Sequence, residues 1–327
     1  MDDLFYAVGA VVIGRNEGER LVACLHSLSQ LGQQIVYVDS GSTDASITNA
    51  HSCNATVVAL DLSKPFTAAR ARNTGAARLL ALYPHLKYIQ FVDGDCAVDI
   101  NWLINAQAFL DKNSHIAVAS GRRRERFPEN SIYNMQCNHE WDTPIGEAKA
   151  CGGDCLIRVE AFNTVSGYRE CLIAGEEPEM CLRLRKLGWK IWRLDVEMTL
   201  HDANILHFKQ WWKRNQRSGY AYAQGAYLHG KTPEKHWVKE TMRAAIWGVL
   251  LPLIIIITTI FKVYYAVLLV ALYALQWVRI AYKNRALPNS YQIATLLVIS
   301  KFAEGLGLMM FWKNQLLGQR GALIEYK

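Results

Sequence analysis

Two aspartates one residue apart, Asp93 and Asp95, follow the apolar run YIQFV in the segment FVDGDC. Carboxylates at this spacing, just past a buried strand, can share a divalent cation that also takes up a diphosphate. Aspartate is also common in turns, so the pair alone equally fits a plain turn. Other reactive residue types stand at comparable places. Asp39 ends the run IVYV and is either a ligand-facing acid or the head of an Asx turn. Glu176 and Glu177 open a helical stretch, where first-turn acids are favoured by the macrodipole whatever their chemistry, and Glu17 has the same two readings. His201 and Asp202 can meet a metal or a diphosphate, or form a surface pair. Arg122, Arg123, Arg124 and Arg126 can lie in a solvated loop or hold a lipid or diphosphate. Arg214 and Arg217 sit among aromatics, which suits the membrane surface, though either can also hold a leaving diphosphate.

Apolar runs that read as strands lie at 7–13, 35–38, 56–60, 88–92 and 116–120, and another ordered element starts at CLIRVEAF (155–162). Helical periodicity covers 17–31, 67–83, 101–112 and a stretch near 178–187, and Ser42 or Thr43 is placed to cap a further helix. Between 122 and 150 the pattern is lost. Strands alternating with helices predict an α/β fold with a mainly parallel sheet covered on both faces. Ligands of such sheets bind at the carboxyl ends of the strands, where Asp39, Asp93 and Asp95 fall. No G-x-G-x-x-G follows the first strand and no G-x-x-x-x-G-K-[ST] occurs, which argues against a dinucleotide-binding dehydrogenase and a P-loop enzyme.

Charge divides the chain. Residues 1–208 hold 20 Lys and Arg against 25 Asp and Glu; residues 209–327 hold 16 against 4. The basic part is also very apolar, which points to anionic lipid headgroups and not to nucleic acid. Residues 244–261 carry no charge, Lys262 interrupts, and 263–278 are uncharged again. The runs predict a membrane hairpin turning near Lys262, with one long in-plane helix as the alternative. Basic residues flank both outer ends, which places them on the cytoplasmic side. Residues 290–312 read as an interfacial amphipathic helix with Lys301 and Glu304 paired, and 205–229 as a basic aromatic segment at the headgroups. The eight cysteines include no C-x-x-C pair and read as core residues more readily than as a zinc site. MDDLFYAVGA lacks the basic and apolar regions of a signal peptide, which predicts a cytoplasmic N-terminal domain with reduced thiols.

The segments VVIGRNEGERL, YVDSGSTDAS, ARARNTGAARL, FVDGD, GGDCLIRVEAF and GEEPEMCLRLRKLGW, in that order, resemble the family-2 glycosyltransferases of the GT-A fold over residues 8–193. The tail, including HDANILHFKQWWKRNQRSGYAYAQG and the closing IEYK, resembles membrane-associated members that build exopolysaccharides or lipid-linked glycans. The resemblance implies a Rossmann-like GT-A sheet followed by C-terminal membrane helices. It divides the chain into a catalytic domain (1–204), an interface segment (205–243), a hairpin (244–282) and an amphipathic end (283–327). It implies a nucleotide-sugar donor, with Asp39 at its base, Arg72 and Asn73 near base and ribose, Asp93 at the ribose, and Asp95 on Mg²⁺ or Mn²⁺. Gly152, Gly153 and Asp154 would line the acceptor side of the sugar.

Glu177 matches the family's catalytic base. Many members have Glu-Asp there; this chain has two glutamates, so Glu176 is the neighbouring candidate. The reaction implied is one inverting transfer to a glycan or polyprenyl-diphosphate-linked acceptor at the cytoplasmic face of the inner membrane. QWWKR (210–214) only echoes the Q-x-x-R-W of processive members. Asp154, Glu176, His201, Arg214 and Arg217 are the candidates for contact with acceptor or diphosphate. A sugar-nucleotidyltransferase and a non-catalytic membrane scaffold are the competing readings. The first is disfavoured by the poor match of GRNEGER to a nucleotide loop, the second by the intact acids.

Overall fold

The computed structural model describes residues 5–319, 321 and 324, so the first four residues and the EYK of the closing IEYK lie outside the described residues. The chain forms two compact units. The first comprises Met1–Pro128, Cys137–Leu172 and Glu176–Asn204; the second comprises Glu129–Gln136, Ile173–Gly175 and Ile205–Lys327.

The first unit is built on one sheet. Its elements begin β1 (Val8–Gly14), α1 (Glu19–Ser27), β2 (Ile35–Asp39), α2 (Ser46–Ser52), β3 (Thr56–Ala59), α3 (Ala68–Leu82) and β4 (Tyr88–Asp93). They continue with β5 (Cys96–Val98), α4 (Trp102–Lys112), β6 (Ile116–Glu125), α5 (Ile132–Glu140, of which residues up to Gln136 belong to the second unit), β7 (Gly146–Ala148), β8 (Cys155–Arg158), α6 (Val159–Thr164), α7 (Glu176–Lys186) and β9 (Lys190–His201). The strand order is β3-β2-β1-β4-β8-β6-β9-β5, with β7 beside β9. Neighbours from β3 to β4 are parallel, whereas β8 runs antiparallel to β4 and β6, and β5 and β7 run antiparallel to β9. The sheet is therefore mixed: alternation of strand and helix makes the first half parallel, and the short excursions after β4 reverse direction without a crossover helix.

Side chains alternate between two cores, as period-2 strands buried on both faces must. Val8, Ala10 and Val12 pack in one with α1 and α4; Val11 and Ile13 pack in the other with α3, α6 and α7. Gly75 on α3 faces β1 and β2 so closely that a Cβ there would overlap a Val11 methyl and sit 2.9 Å from a Val38 methyl.

Several expectations change. The 17–31 helix is α1 followed by a separate 3₁₀ turn at Ser29–Leu31. Neither Ser42 nor Thr43 caps α2: they exchange hydrogen bonds with Asn16, and Asp44 accepts the Ser46 amide instead. The run of arginines does not end order at 122. Strand β6 continues to Glu125 because β9, which no apolar run announced, pairs with it through Glu125↔His201.

The second unit is helical: α8 (Phe208–His229), α9 (Val238–Ala245), a π turn at Ile246–Leu250, α10 (Leu251–Phe261), α11 (Val263–Lys283) and α12 (Ser290–Leu316). Lys262 breaks the helix between α10 and α11 with φ −154°. Tyr273 donates its hydroxyl proton to the Trp247 carbonyl oxygen at 2.6 Å, which holds the two arms of the hairpin together. Three stretches, Val238–Phe261, Tyr264–Lys283 and Ser290–Leu316, are long and apolar enough to cross a membrane. The third was expected to be an interfacial amphipathic helix. Instead it is apolar over much of its length and packs along α8, and Lys301 and Glu304 pair at 2.6 Å. Glycines make that packing close: a Cβ on Gly219 would overlap the Glu304 carbonyl, and one on Gly307 the Gln216 carbonyl. Small residues at such crossings let helix backbones approach each other.

Gly219→Ala places a methyl group where the α12 backbone now lies. The full chain purified in detergent should lose about 1–3 kcal/mol, read as a lower thermal midpoint. A midpoint at or above that of the parent would show that the two helices do not pack this closely.

Candidate active site

The reversal of strand order at β1, with β2 on one side and β4 on the other, opens a crevice at their carboxyl ends. Register brings acids to that edge: Gly14 lies opposite Asp39, and Ile13 opposite Asp93. Asp39 is buried and accepts from the amides of Gly41 and Ser42 at 2.9 Å and from the Tyr37 hydroxyl at 3.1 Å. It thus closes the Asx-type turn that shapes this end of the crevice.

Asp93 is bracketed by two guanidinium groups. Arg72 donates to its Oδ1 at 2.8 Å, and Arg123 lies 3.5 Å from its Oδ2. Burial alone would raise the Asp93 pKa, but the two arginines outweigh it and hold the carboxyl below the usual aspartate range. Arg72 also donates to Glu176 Oε1 at 2.6 Å, so one guanidinium ties the end of β4 to the start of α7.

Arg123 reaches inward from β6 while Arg122 and Arg124 turn the other way, following the strand's period of two. The outward pair lines a separate cavity of ≈ 500 Å³, where Arg124 meets Glu197 and Arg122 meets Asp142. Arg123 stacks 4.8 Å over the Trp141 ring and lies 3.3 Å from Asp154 and 2.9 Å from His201 Nδ1. Burial disfavours its charge, but Asp154, with Asp93 and Asp95 adding to it, keeps it protonated.

The β5–β9 register sets Cys96 opposite His201, and His201 Nε2 stands 3.1 Å from Asp95 Oδ2. Ligand atoms of Asp95, Cys96 and His201 all lie within 4.8 Å of one another. A carboxylate and an imidazole suit Mn²⁺, and the carboxylate alone suits Mg²⁺. The Cys96 thiol is a poor third ligand, because burial and the surrounding aspartates push its pKa well up. Arg123 has only protons to donate, so the 2.9 Å contact makes His201 Nδ1 an acceptor and assigns the ring proton to Nε2. A cation between Asp95 and His201 would displace that proton.

The two glutamates of α7 diverge. Glu176 is committed to Arg72. Glu177 accepts from the Cys151 amide at 2.6 Å and from the thiols of Cys151 and Cys181 at 3.0 and 2.9 Å. Burial raises its pKa, and those donors offset it only in part.

Asp154, expected on the acceptor side, is fully buried: it accepts the Asp93 amide through Oδ1 and the Thr199 hydroxyl through Oδ2, and anchors Arg123. Asn73, expected near base and ribose, holds the 168–170 loop with its amide group, through the Tyr168 backbone and Glu170. Arg214 and Arg217 lie on α8, in the second unit. Trp141, Thr199 and Tyr168 join the site without having been singled out. Arg123 joins it from the arginine run read as a solvated loop or a lipid or diphosphate contact, and the loss of pattern between 122 and 150 concealed the alternation that aims it.

Residues 10–164 match the model described as Glycosyl transferase family 2. The chain carries a family 2 glycosyltransferase domain. It is similar to the succinoglycan biosynthesis protein ExoA of Rhizobium meliloti (strain 1021), at 27% identity over 193 residues, covering 55% of this chain and 58% of that protein. The match thus spans less than two thirds of the relative's length. The fold is shared with a mannosyltransferase from Pyrobaculum calidifontis solved with GDP-Man and Mn²⁺, at a TM-score of 0.62 and 16% identity, covering 93% of this chain and 87% of that one.

Removing the inward guanidinium leaves Asp154 buried without its cation. Arg123→Gln should destabilise the fold by about 3–5 kcal/mol at neutral pH. Asp93, whose folded pKa is depressed, contributes stability above its unfolded value, and that contribution fades as pH falls through the folded value. The penalty should therefore shrink below about pH 4. Denaturant midpoints of both proteins at neutral and acid pH test this; a penalty independent of pH would contradict the charge bracket.

Proposed function

We propose that the family 2 domain catalyses inverting transfer of a sugar from a nucleoside-diphosphate donor to a hydroxyl acceptor. The reading is supported chiefly by the Asp93–Arg72–Glu176 bridge, which joins the aspartate pair of the sheet edge to the helix that carries the candidate base. The donor's base lies toward Asp39, its ribose toward Asp93, and its diphosphate toward Asp95 and His201. A divalent cation on Asp95 and His201, when bound, supplies positive charge to the diphosphate.

Glu177 takes the acceptor proton. Two adjacent carboxylates with different surroundings suit different tasks. Glu176 is held by Arg72 at 2.6 Å and orients the site. Glu177, desolvated and facing an amide and two thiols, has the raised pKa that suits a general base. As it takes the proton, the acceptor oxygen bonds to the anomeric carbon, the bond from that carbon to the diphosphate oxygen breaks, and the nucleoside diphosphate leaves with the electron pair. Attack opposite the leaving group inverts the anomeric centre.

The acceptor is proposed to be a growing glycan on a membrane lipid. The apolar helices and the likeness to a succinoglycan biosynthesis protein support an exopolysaccharide role at the cytoplasmic face of the membrane. Release of a nucleoside diphosphate from a nucleotide sugar separates this reading from a nucleotidyltransferase, which releases pyrophosphate, and from a scaffold, which releases neither.

Asp95→Asn keeps the shape of the side chain and removes its charge. Donor affinity in the presence of Mn²⁺ should fall sharply while the thermal midpoint without metal holds; unchanged Mn²⁺-dependent donor binding would remove Asp95 from the site. Glu177→Gln should keep donor affinity and cut turnover by roughly 10²–10⁴-fold. A base must be deprotonated, so the parent's turnover should drop on acidification along a limb lying above the ordinary glutamate value of 4.5. That limb should be absent from the variant's residual activity. Glu176→Gln should instead weaken donor binding by loosening Arg72. An inactive Glu176→Gln with intact donor binding, beside an active Glu177→Gln, would exchange the two roles.

A further inference from the structure

The second unit contains a cavity of ≈ 400 Å³ at the base of the α10–α11 hairpin. Four cationic side chains line it: Arg243, Arg279, Lys283 and Lys301. The Lys301 charge is met by Glu304 at 2.6 Å. Among the described residues, Arg243, Arg279 and Lys283 have no carboxylate partner. Three uncompensated cations around one concavity repel one another, and an anion of matching size relieves that repulsion.

The position of the cavity narrows the kind of anion. Arg243 directly precedes the uncharged run 244–261, and Arg279 directly follows the uncharged run 263–278. At ~1.5 Å per residue both lie about 25–29 Å from the Lys262 turn, close to the depth of a hydrocarbon core. The cations therefore stand at headgroup level. Trp247 and Tyr273, in edge contact at 5.6 Å, form the cavity's apolar wall, as aromatic residues do at that level. From them toward Lys262 the hairpin surface is exposed and apolar: Leu253 and Leu268 are 50% and 54% exposed. A ligand that fills both regions has an anionic head and a hydrocarbon tail.

We propose that this cavity binds the phosphate headgroup of a membrane lipid, with Arg243, Arg279 and Lys283 on the phosphate oxygens and the acyl or prenyl chain along the exposed hairpin face. Basic pockets between membrane helices recognise phosphate headgroups by this chemistry. Phosphate is shared by an anionic phospholipid and by a polyprenyl phosphate, and the two are distinguished by experiment. The site is independent of the transfer reaction: binding here neither requires nor implies turnover.

The test uses the full chain in detergent, with lipid adducts quantified by native mass spectrometry. The probes are phosphatidylglycerol, a polyprenyl phosphate, phosphatidylcholine and inorganic phosphate. The parent should retain at least one of the two anionic lipids well above phosphatidylcholine, and the one retained names the source. Arg279→Gln with Lys283→Gln should weaken that retention by roughly 25-fold, about fivefold for each charge. Lys262→Gln, at the far end of the hairpin, should leave it unchanged. Arg279→Lys with Lys283→Arg keeps both charges and should retain the lipid, which separates loss of charge from loss of fold. Equal retention of phosphatidylcholine, an undiminished anionic adduct on the double glutamine variant, or an adduct with inorganic phosphate but neither anionic lipid would each overturn the proposal.

Discussion

The catalytic unit is organised around the bracketing of Asp93 between Arg72 and Arg123. Either guanidinium alone would be a costly charge to bury, and so would the carboxylates of Asp93, Asp154 and Glu176. Together they form one network in which each cation meets two anions. Its members come from α3, β4, β6, the segment before β8, and α7, so the crevice can close only when the sheet is complete. The polar interior of the site is thus also what ties the parallel half of the sheet to the antiparallel half.

That network also accounts for the division of labour among the acids. Asp93, facing two arginines, is held below the usual aspartate range, and Glu176 shares one of those arginines. Asp95 faces an imidazole and can exchange it for a metal. Glu177 faces an amide and two thiols, none of them charged, and burial then raises its proton affinity. Four acids within two short segments acquire different tasks because their neighbours differ in charge.

The second unit is held by a different principle. Its hairpin arms expose apolar surface along most of their length, whereas α8 and α12 bury glycines against each other's backbones. Close backbone contact gives dispersion and geometric definition where burial of apolar side chains from water supplies little, as in lipid. At the base of the hairpin the Lys301–Glu304 pair and the uncompensated cations gather.

Much of this was legible in the residue order. Apolar runs located the strands up to β4, the uncharged runs located the hairpin, and acids at strand ends located the crevice, because period and burial are local properties of a sequence. The family resemblance drew attention to Asp93, Asp95 and Glu177 before any geometry. The tertiary structure decided the rest. Strand β9 has no apolar run of its own, and only pairing with β5, β6 and β7 makes it a strand and brings His201 to Asp95. Arg123 is one of three consecutive arginines, and only the phase of β6 selects it to face inward. Asp154 follows two glycines in a segment that the resemblance placed on the acceptor side, yet Thr199 and the Asp93 amide seal it in the interior. Which partner a charged side chain meets depends on residues as far as 104 positions away, and sequence spacing carries no record of such distances.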